Sequence, residues 1–260
     1  MTEAQTALAG EPVRHNLILS LLHDRVARPE PGRYWIAAAG GRIAGVIFQS
    51  PLTYPAVLGP MGPRVIELMV DSIADAGVVL PGVNGEAATS ASFAGQWGER
   101  LKSPAVPVMG LRLYEAVELG EVRSTPGRFR VATASDRDLA AAWIQAFQTE
   151  IGEPGGDGTV QADRWITSGQ LWLWEDEKPV AMAVGRTTIE GVVRVAGVYT
   201  PPEIRGRGYA TACVHELSRR ILERGERPCL YTDLGNPTSN SIYRRMGYRV
   251  VAEWVRYRFG

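Results

Sequence analysis

Cysteine is nearly absent from this chain of 260 residues: Cys213 and Cys229 are the only two. A single pair cannot staple a chain of this length, so a disulfide scaffold is excluded. The low number fits a reducing compartment and a core role. Lysine is as scarce. Only Lys102 and Lys178 occur, and the rest of the 28 basic residues are arginines. That bias reads as a GC-rich bacterial genome before it reads as chemistry. The 28 acidic residues bring the formal net charge to zero. A bulk electrostatic attraction for nucleic acid or an anionic membrane is thereby removed, and only a local basic patch is left open. No run approaches the ~18 uninterrupted apolar residues of a membrane span. The opening MTEAQTALAGEP lacks the basic flank and apolar centre of a secretory signal. The expectation is a cytoplasmic protein with no membrane and no nucleic-acid partner.

What is present is an ordinary globular mixture, 45% hydrophobic and 22% charged, which excludes a wholly disordered chain. The length suits two domains or one large one. The first half alternates helix and strand signals. Leu17, Leu19, Leu21, Leu22 and Val26 predict a helix over 15–26, and 33–48 reads as a hairpin around Gly40-Gly41. Pro63 opens a helix that Gly77 closes. A strand at 78–82, a helix at 86–101 and a strand at 104–119 follow. Residues 120–128, rich in Gly, Pro, Ser and charge, mark the domain boundary. This gives domains 1–122 and 123–260.

The second half opens with a strand at 129–134, then a helix capped by Ser135 with Asp138 as its capping acid. A loop at 151–158, a short helix, and a hairpin turning near Asp176–Pro179 come next. A strand at 192–200 leads through a glycine loop into a helix whose apolar stripe is Ala210, Cys213, Val214, Leu217 and Ile221. Strand 228–234, a short helix and strand 248–259 close the chain. Both halves run from a Pro/Gly turn through an amphipathic helix, a glycine, a strand and a short helix to a second glycine. A duplicated fold accounts for that rhythm, and coincidence between two mixed domains is the plainer alternative.

The most informative stretch is Arg205-Gly206-Arg207-Gly208-Tyr209-Ala210, followed by Thr211. Glycines without Cβ let the backbone turn tightly and approach a bound group. The first amides of a helix lack internal partners and face the positive end of its dipole, so such a loop can grip a pyrophosphate. Arg205 and Arg207 add charge, and the small Ala210 lets the helix lie close to its strand. A dinucleotide fingerprint needs a third glycine where Thr211 stands, and a P-loop needs a lysine that is missing. A surface turn with solubilising arginines is the bland alternative. Further on, Asn236, Ser239 and Tyr243 share one face of the short helix. Tyr243 can donate a proton or hydrogen bond to a leaving group. Alternatively Tyr243 is a core aromatic and Asn236 a simple cap.

Strand, Arg-x-x-Gly-x-Ala, amphipathic helix, strand, then Asn-x-x-Ser-x-x-x-Tyr resembles the GNAT N-acetyltransferase superfamily over 129–258. The resemblance implies an α/β fold with a mixed sheet (α+β in arrangement), in two tandem GNAT-like domains of which the N-terminal one is degenerate. It implies acetyl-CoA as acyl donor, with no metal, and transfer to an amine by direct attack in a ternary complex. The signature falls on Arg205, Gly208 and Ala210, whose loop would cradle the pyrophosphate. Val198, Tyr199 and Thr200 would run along the pantetheine arm, and Asn236 and Ser239 would also serve the cofactor. Tyr243 would protonate the departing thiolate.

Many relatives carry a Glu base on the strand before the loop, and here residues 192–198 hold no carboxylate. Asp233 is the first choice for the base, with Glu150, Glu153 and Asp157 as further candidates. Aligning Gly98 on Gly247 sets Ala87, Ser90 and Ala94 opposite Asn236, Ser239 and Tyr243, so the first copy would lack the chemistry. A CoA-binding module without chemistry, or an enzyme using a longer acyl donor, are the alternatives. The acceptor, a small molecule or a peptide amine, and the choice between monomer and homodimer stay open.

Overall fold

In a computed structural model, the structure describes residues 2–152 and 156–260. The chain forms two compact units. The first comprises Met1–Tyr114, Tyr231–Asn240 and Val250–Gly260, and the second Glu115–Leu230 and Ser241–Arg249.

The first unit begins with helices α1 (Thr2–Ala9) and α2 (Asn16–Ala27), the former not foreseen in the sequence. Strands β1 (Arg33–Ala39) and β2 (Arg42–Gln49) pair antiparallel around Gly40 and Gly41, both at positive φ. Next come β3 (Ala56–Leu58), α3 (Pro63–Asp75), β4 (Gly82–Glu86), α4 (Ala87–Leu101) and β5 (Ala105–Glu115). The last strand of the chain, β11 (Arg249–Phe259), belongs here too. It pairs antiparallel with β4, Trp254 opposite Glu86 through Arg258 opposite Gly82, and the strand order is β1-β2-β3-β4-β11-β5. Beneath it α3 buries Ile66, Met69, Val70 and Ile73, while α4 buries Phe93 and Trp97. Trp97 stacks on Phe259 at 5.6 Å, so the core of this unit includes the end of the chain.

Two expectations fail in this unit. The strand expected at 78–82 lies at Gly82–Glu86, with Val79 80% exposed. A Cβ on Gly82 would meet the Tyr257 carbonyl oxygen at 2.1 Å, so that glycine admits a close backbone approach rather than ending a strand. Gly98 lies inside α4 and closes nothing, because Lys102 supplies the left-handed end at φ 51.

The second unit contains β6 (Arg128–Val131), α5 (Arg137–Glu150), α6 (Gly158–Thr167), β7 (Leu171–Asp176), β8 (Lys178–Gly185), β9 (Val192–Tyr199), α7 (Tyr209–Glu223) and, as far as Leu230, β10 (Arg227–Asp233). Helix α8 (Pro237–Arg245) follows β10. The strand order is β10-β9-β8-β7-β6, parallel between β9 and β10 and antiparallel elsewhere. Trp143 and Ile144 of α5 and Ala162 and Trp165 of α6 pack with Leu171, Leu173, Met182, Val184 and Tyr199. The apolar stripe of α7 is buried as its periodicity predicts, at Cys213, Val214, Leu217 and Ile221. The capping acid before α5 is Asp136 and not Asp138. Asp136 accepts from the Thr133 N–H at 2.8 Å and its hydroxyl at 3.0 Å, whereas the Asp138 side chain is 97% exposed.

Candidate active site

The site is best built from β9. Its antiparallel pairing with β8 runs from Val195 opposite Gly185 to Tyr199 opposite Met182, but the register slips by one residue on the way. Gly197 sits there at φ +56, in the left-handed region that glycine adopts without strain. This is a β-bulge, which bends a strand and re-aims its backbone groups. On the other edge, the parallel pairing with β10 ends at Val195 opposite Leu230. From Ala196 to Tyr199 that edge of β9 has no paired residue among the described ones. Val198 and Tyr199 lie on this open stretch and Thr200 continues it, with its buried hydroxyl unpartnered among the described residues.

The chain then turns into the glycine loop. Gly206 and Gly208 both take positive φ, +79 and +88, and Gly208 is the residue before α7. The first helical amide with a backbone acceptor is Ala212, which donates to the Gly208 carbonyl at 2.9 Å. The N–H groups of residues 206–211 find no acceptor among the described residues. Nothing lies within 4 Å of a Cβ placed on Gly206, and the loop's outer side is open. A Cβ on Gly208 would meet the Thr125 hydroxyl at 2.9 Å. Consecutive free amides at a helix start, with the dipole behind them, make a concave site for an anion of pyrophosphate size. The residues present therefore fit the pyrophosphate of an acyl-CoA.

The side chains of the loop are placed as follows. Arg207 is exposed. Tyr209 is buried and donates to Asp176 Oδ2 at 2.7 Å, which ties the start of α7 to the β7–β8 turn and holds the phenol above its ordinary pKa. Arg205 donates through Nε to the Thr200 carbonyl at 2.8 Å and through Nη2 to the Glu150 carboxylate at 2.8 Å. Ala210 and Thr211 are half-buried in the first turn of α7.

Tyr243 is half-buried on α8 and meets Tyr248 edge-on at 5.7 Å between ring centroids. Burial pushes its phenol up to about 12, and the Cys213 thiol of α7 adds to the rise. Tyr248 in turn exchanges a 2.7 Å hydrogen bond with the buried Ser218 hydroxyl of α7. Tyr243 is thus held on the α7 side of its own unit, and its hydroxyl remains protonated at neutral pH.

The remaining expected residues fall in the first unit. Asn236 is exposed, and its Oδ1 accepts from the Ser239 N–H at 3.0 Å, a helix cap. Asp233 is exposed and accepts from the Gly235 N–H at 2.7 Å. The buried asparagine is Asn240, which sequence reasoning missed. Its Oδ1 accepts from the Tyr114 hydroxyl at 2.9 Å and the Thr232 hydroxyl at 2.8 Å. Its Nδ2 donates to the carbonyls of Asp233 and Asn236 at 2.8 and 2.7 Å. The available signal was an asparagine inside a short helix, where it is disfavoured unless its side chain is used. Among the other carboxylates, Asp157 caps α6 by accepting from the Thr159 N–H at 2.8 Å, Glu150 pairs with Arg205, and Glu153 lies outside the described residues.

The first unit carries the corresponding strand-to-helix turn at 59–63, built differently. Pro60 and Pro63 have no N–H, Gly62 is extended at φ −73, and the Gly59 N–H is spent on the Val46 carbonyl at 2.8 Å. Matching the helix starts rather than Gly98 and Gly247 sets Phe93 opposite Tyr243, so the phenol is missing from this copy as well.

The fold is similar to that of solved GNAT acetyltransferases. Residues 175–259 match the family model described as FR47-like protein. The chain is similar to a GCN5-related N-acetyltransferase from Sphaerobacter thermophilus at 17% identity, over 99% of this chain and 90% of that one, with a TM-score of 0.62. The corresponding enzyme from Kribbella flavida shares 19% identity over 94% of each chain, at a TM-score of 0.60. A tandem GNAT protein from the clavulanic acid biosynthesis pathway matches 92% of this chain and 86% of its own, at 9% identity and a TM-score of 0.53. No curated protein sequence matches the chain. At these identities the likeness is one of fold, and it covers both halves of the chain. Among the described residues no helix is long and apolar enough to cross a membrane, and no group of three or more His, Cys, Asp or Glu could hold a metal ion.

Proposed function

We propose that the protein is an acetyl-CoA-dependent N-acetyltransferase acting on a primary amine, with its working groups in 123–260 and a non-catalytic copy in 1–122. The observation that carries this reading is the open edge of β9 leading into the unpartnered amides of residues 206–211. In this reading those amides hold the pyrophosphate oxygens, and the free edge at Val198, Tyr199 and Thr200 pairs with the amides of the pantetheine arm. In the same reading the Val198 N–H, next to the bulge, serves the thioester carbonyl oxygen, where negative charge develops during attack. The acceptor nitrogen forms the new bond to carbon as the bond to sulfur breaks. Tyr243, protonated throughout the neutral range, gives its proton to the departing sulfur. The proton lost by the amine passes to solvent water.

The test is a calorimetric titration with acetyl-CoA, with Gly208→Trp as control. The expected result is a single site per chain that the variant loses. A second site would mean that the first copy also binds, and no binding would end the proposal. The absence of a carboxylate on β9 favours one rival, a CoA-binding module without chemistry. Tight binding without thiol release across diverse amines would support that rival.

A further inference from the structure

Arg205 opens the phosphate loop, and its guanidinium is committed elsewhere. Nε donates to the Thr200 carbonyl at 2.8 Å, Nη2 faces both Glu150 carboxylate oxygens at 2.8 Å, and Cζ lies 5.6 Å from the Tyr199 ring centroid. Glu150 is the last residue of α5, and Tyr199 is the last of β9. One guanidinium therefore joins the end of a helix, the end of the bulged strand and the entry to the loop. We propose that Glu150 is a positioning residue that holds Arg205 as a strut, and that Arg205 is not a phosphate ligand.

The physical case has three parts. Arg205 has five N–H donors in a fixed fork, and three of them are already engaged in this arrangement. The side chains of Arg205 and Glu150 are 46% and 41% exposed, so their direct attraction is weak. The value of the pair then lies in geometry: it fixes where β9 hands over to the loop, and so pre-sets the amides of residues 206–211 before the ligand arrives. Those amides and the exposed Arg207 supply the anion-binding groups without Arg205. Glu150 is thereby removed from the candidates for general base and given a different task. The inference rests on reading residues 205–211 as an acyl-CoA phosphate loop.

CoA binding by calorimetry to the unaltered chain, Glu150→Arg, Arg205→Glu and the doubly reversed variant tests it. A strut predicts that each single reversal weakens binding by roughly two- to fivefold and that the double variant recovers much of the loss. A phosphate ligand at Arg205 predicts that the double variant stays as weak as Arg205→Glu alone, which overturns the proposal. Glu150→Gln supplies a second readout, since loss of the opposite charge alone should raise Kd for CoA while leaving the pH profile of kcat in place. Unchanged Kd with a displaced acid limb would make Glu150 the base and sink the strut. Failure of the unaltered chain to bind CoA would overturn the acyl-CoA reading itself, and the strut with it.

Discussion

Tyr243 shows what a single side chain contributes and how its surroundings set its chemistry. Burial against Tyr248 and α7 raises its phenol to about 12, well above the free value, so the group proposed to give a proton holds it firmly. Tyr243→Phe keeps the ring and removes only the hydroxyl. The expected outcome is a fall in kcat of about a hundredfold with acetyl-CoA affinity nearly unchanged. In the unaltered chain the same shift places any alkaline decline due to this group near pH 12 and not near pH 10, so stopped-flow rates should show almost no loss from it at pH 10. Equal turnover in the phenylalanine variant would remove its acid role. Residues were legible in the sequence where spacing selects them. The loop glycines needed only their spacing, whereas Asn236 precedes α8 as its cap and falls in the other unit from Tyr243. Asn240 was not legible, because what singles it out is burial against Tyr114, which lies 126 positions away in the chain.

At the scale of elements, the two strand-to-helix turns show how one local design is kept or lost. The loop before α7 uses left-handed glycines and frees its amides, while the turn before α3 uses prolines and a hydrogen-bonded glycine. Both were visible as glycine-rich punctuation, and both helices form where amphipathic spacing predicts. The entry to α5 was read two residues late, since Ser135 and Asp138 mimic the pattern that Thr133 and Asp136 satisfy. What decides between them is Arg130, which bonds both Asp136 oxygens at 2.7 and 2.8 Å and also reaches Glu175 on β7. Arg130 holds the Asp136 carboxyl down at about 2. A depressed carboxyl stabilises the fold above its unfolded pKa and loses that contribution as pH falls through the folded one. Asp136→Asn should therefore cost about 2 kcal/mol at neutral pH. The gap to the parent should close between about pH 4 and pH 2 in urea melts. A gap independent of pH would show that packing, and not charge, is what the residue supplies.

At the scale of the whole molecule, chain order and spatial grouping part company. The closing strand was read correctly as a strand, yet its place could not be read from the sequence, because a strand's pattern gives its faces and not its neighbours. β11 belongs to the first unit, where Trp254 is buried opposite Glu86 and Phe259 stacks on Trp97. The glycine that admits it, Gly82, looks like a turn residue until the Tyr257 backbone is set against it. The consequence is specific to how the chain is cut. A fragment of residues 123–260 keeps the glycine loop at 205–211 and Tyr243, but β11 loses β4 and exposes Trp254 and Phe259 along an unpaired strand edge. Such edges associate with other chains. That fragment should aggregate on size-exclusion chromatography while the full chain elutes as a discrete species. Removing residues 250–260 from the full chain should lower Tm by unmaking the core around Trp97 and Phe259. A soluble, discrete 123–260 fragment would show instead that β11 finds a partner without the first 122 residues, and that the two copies separate along the sequence.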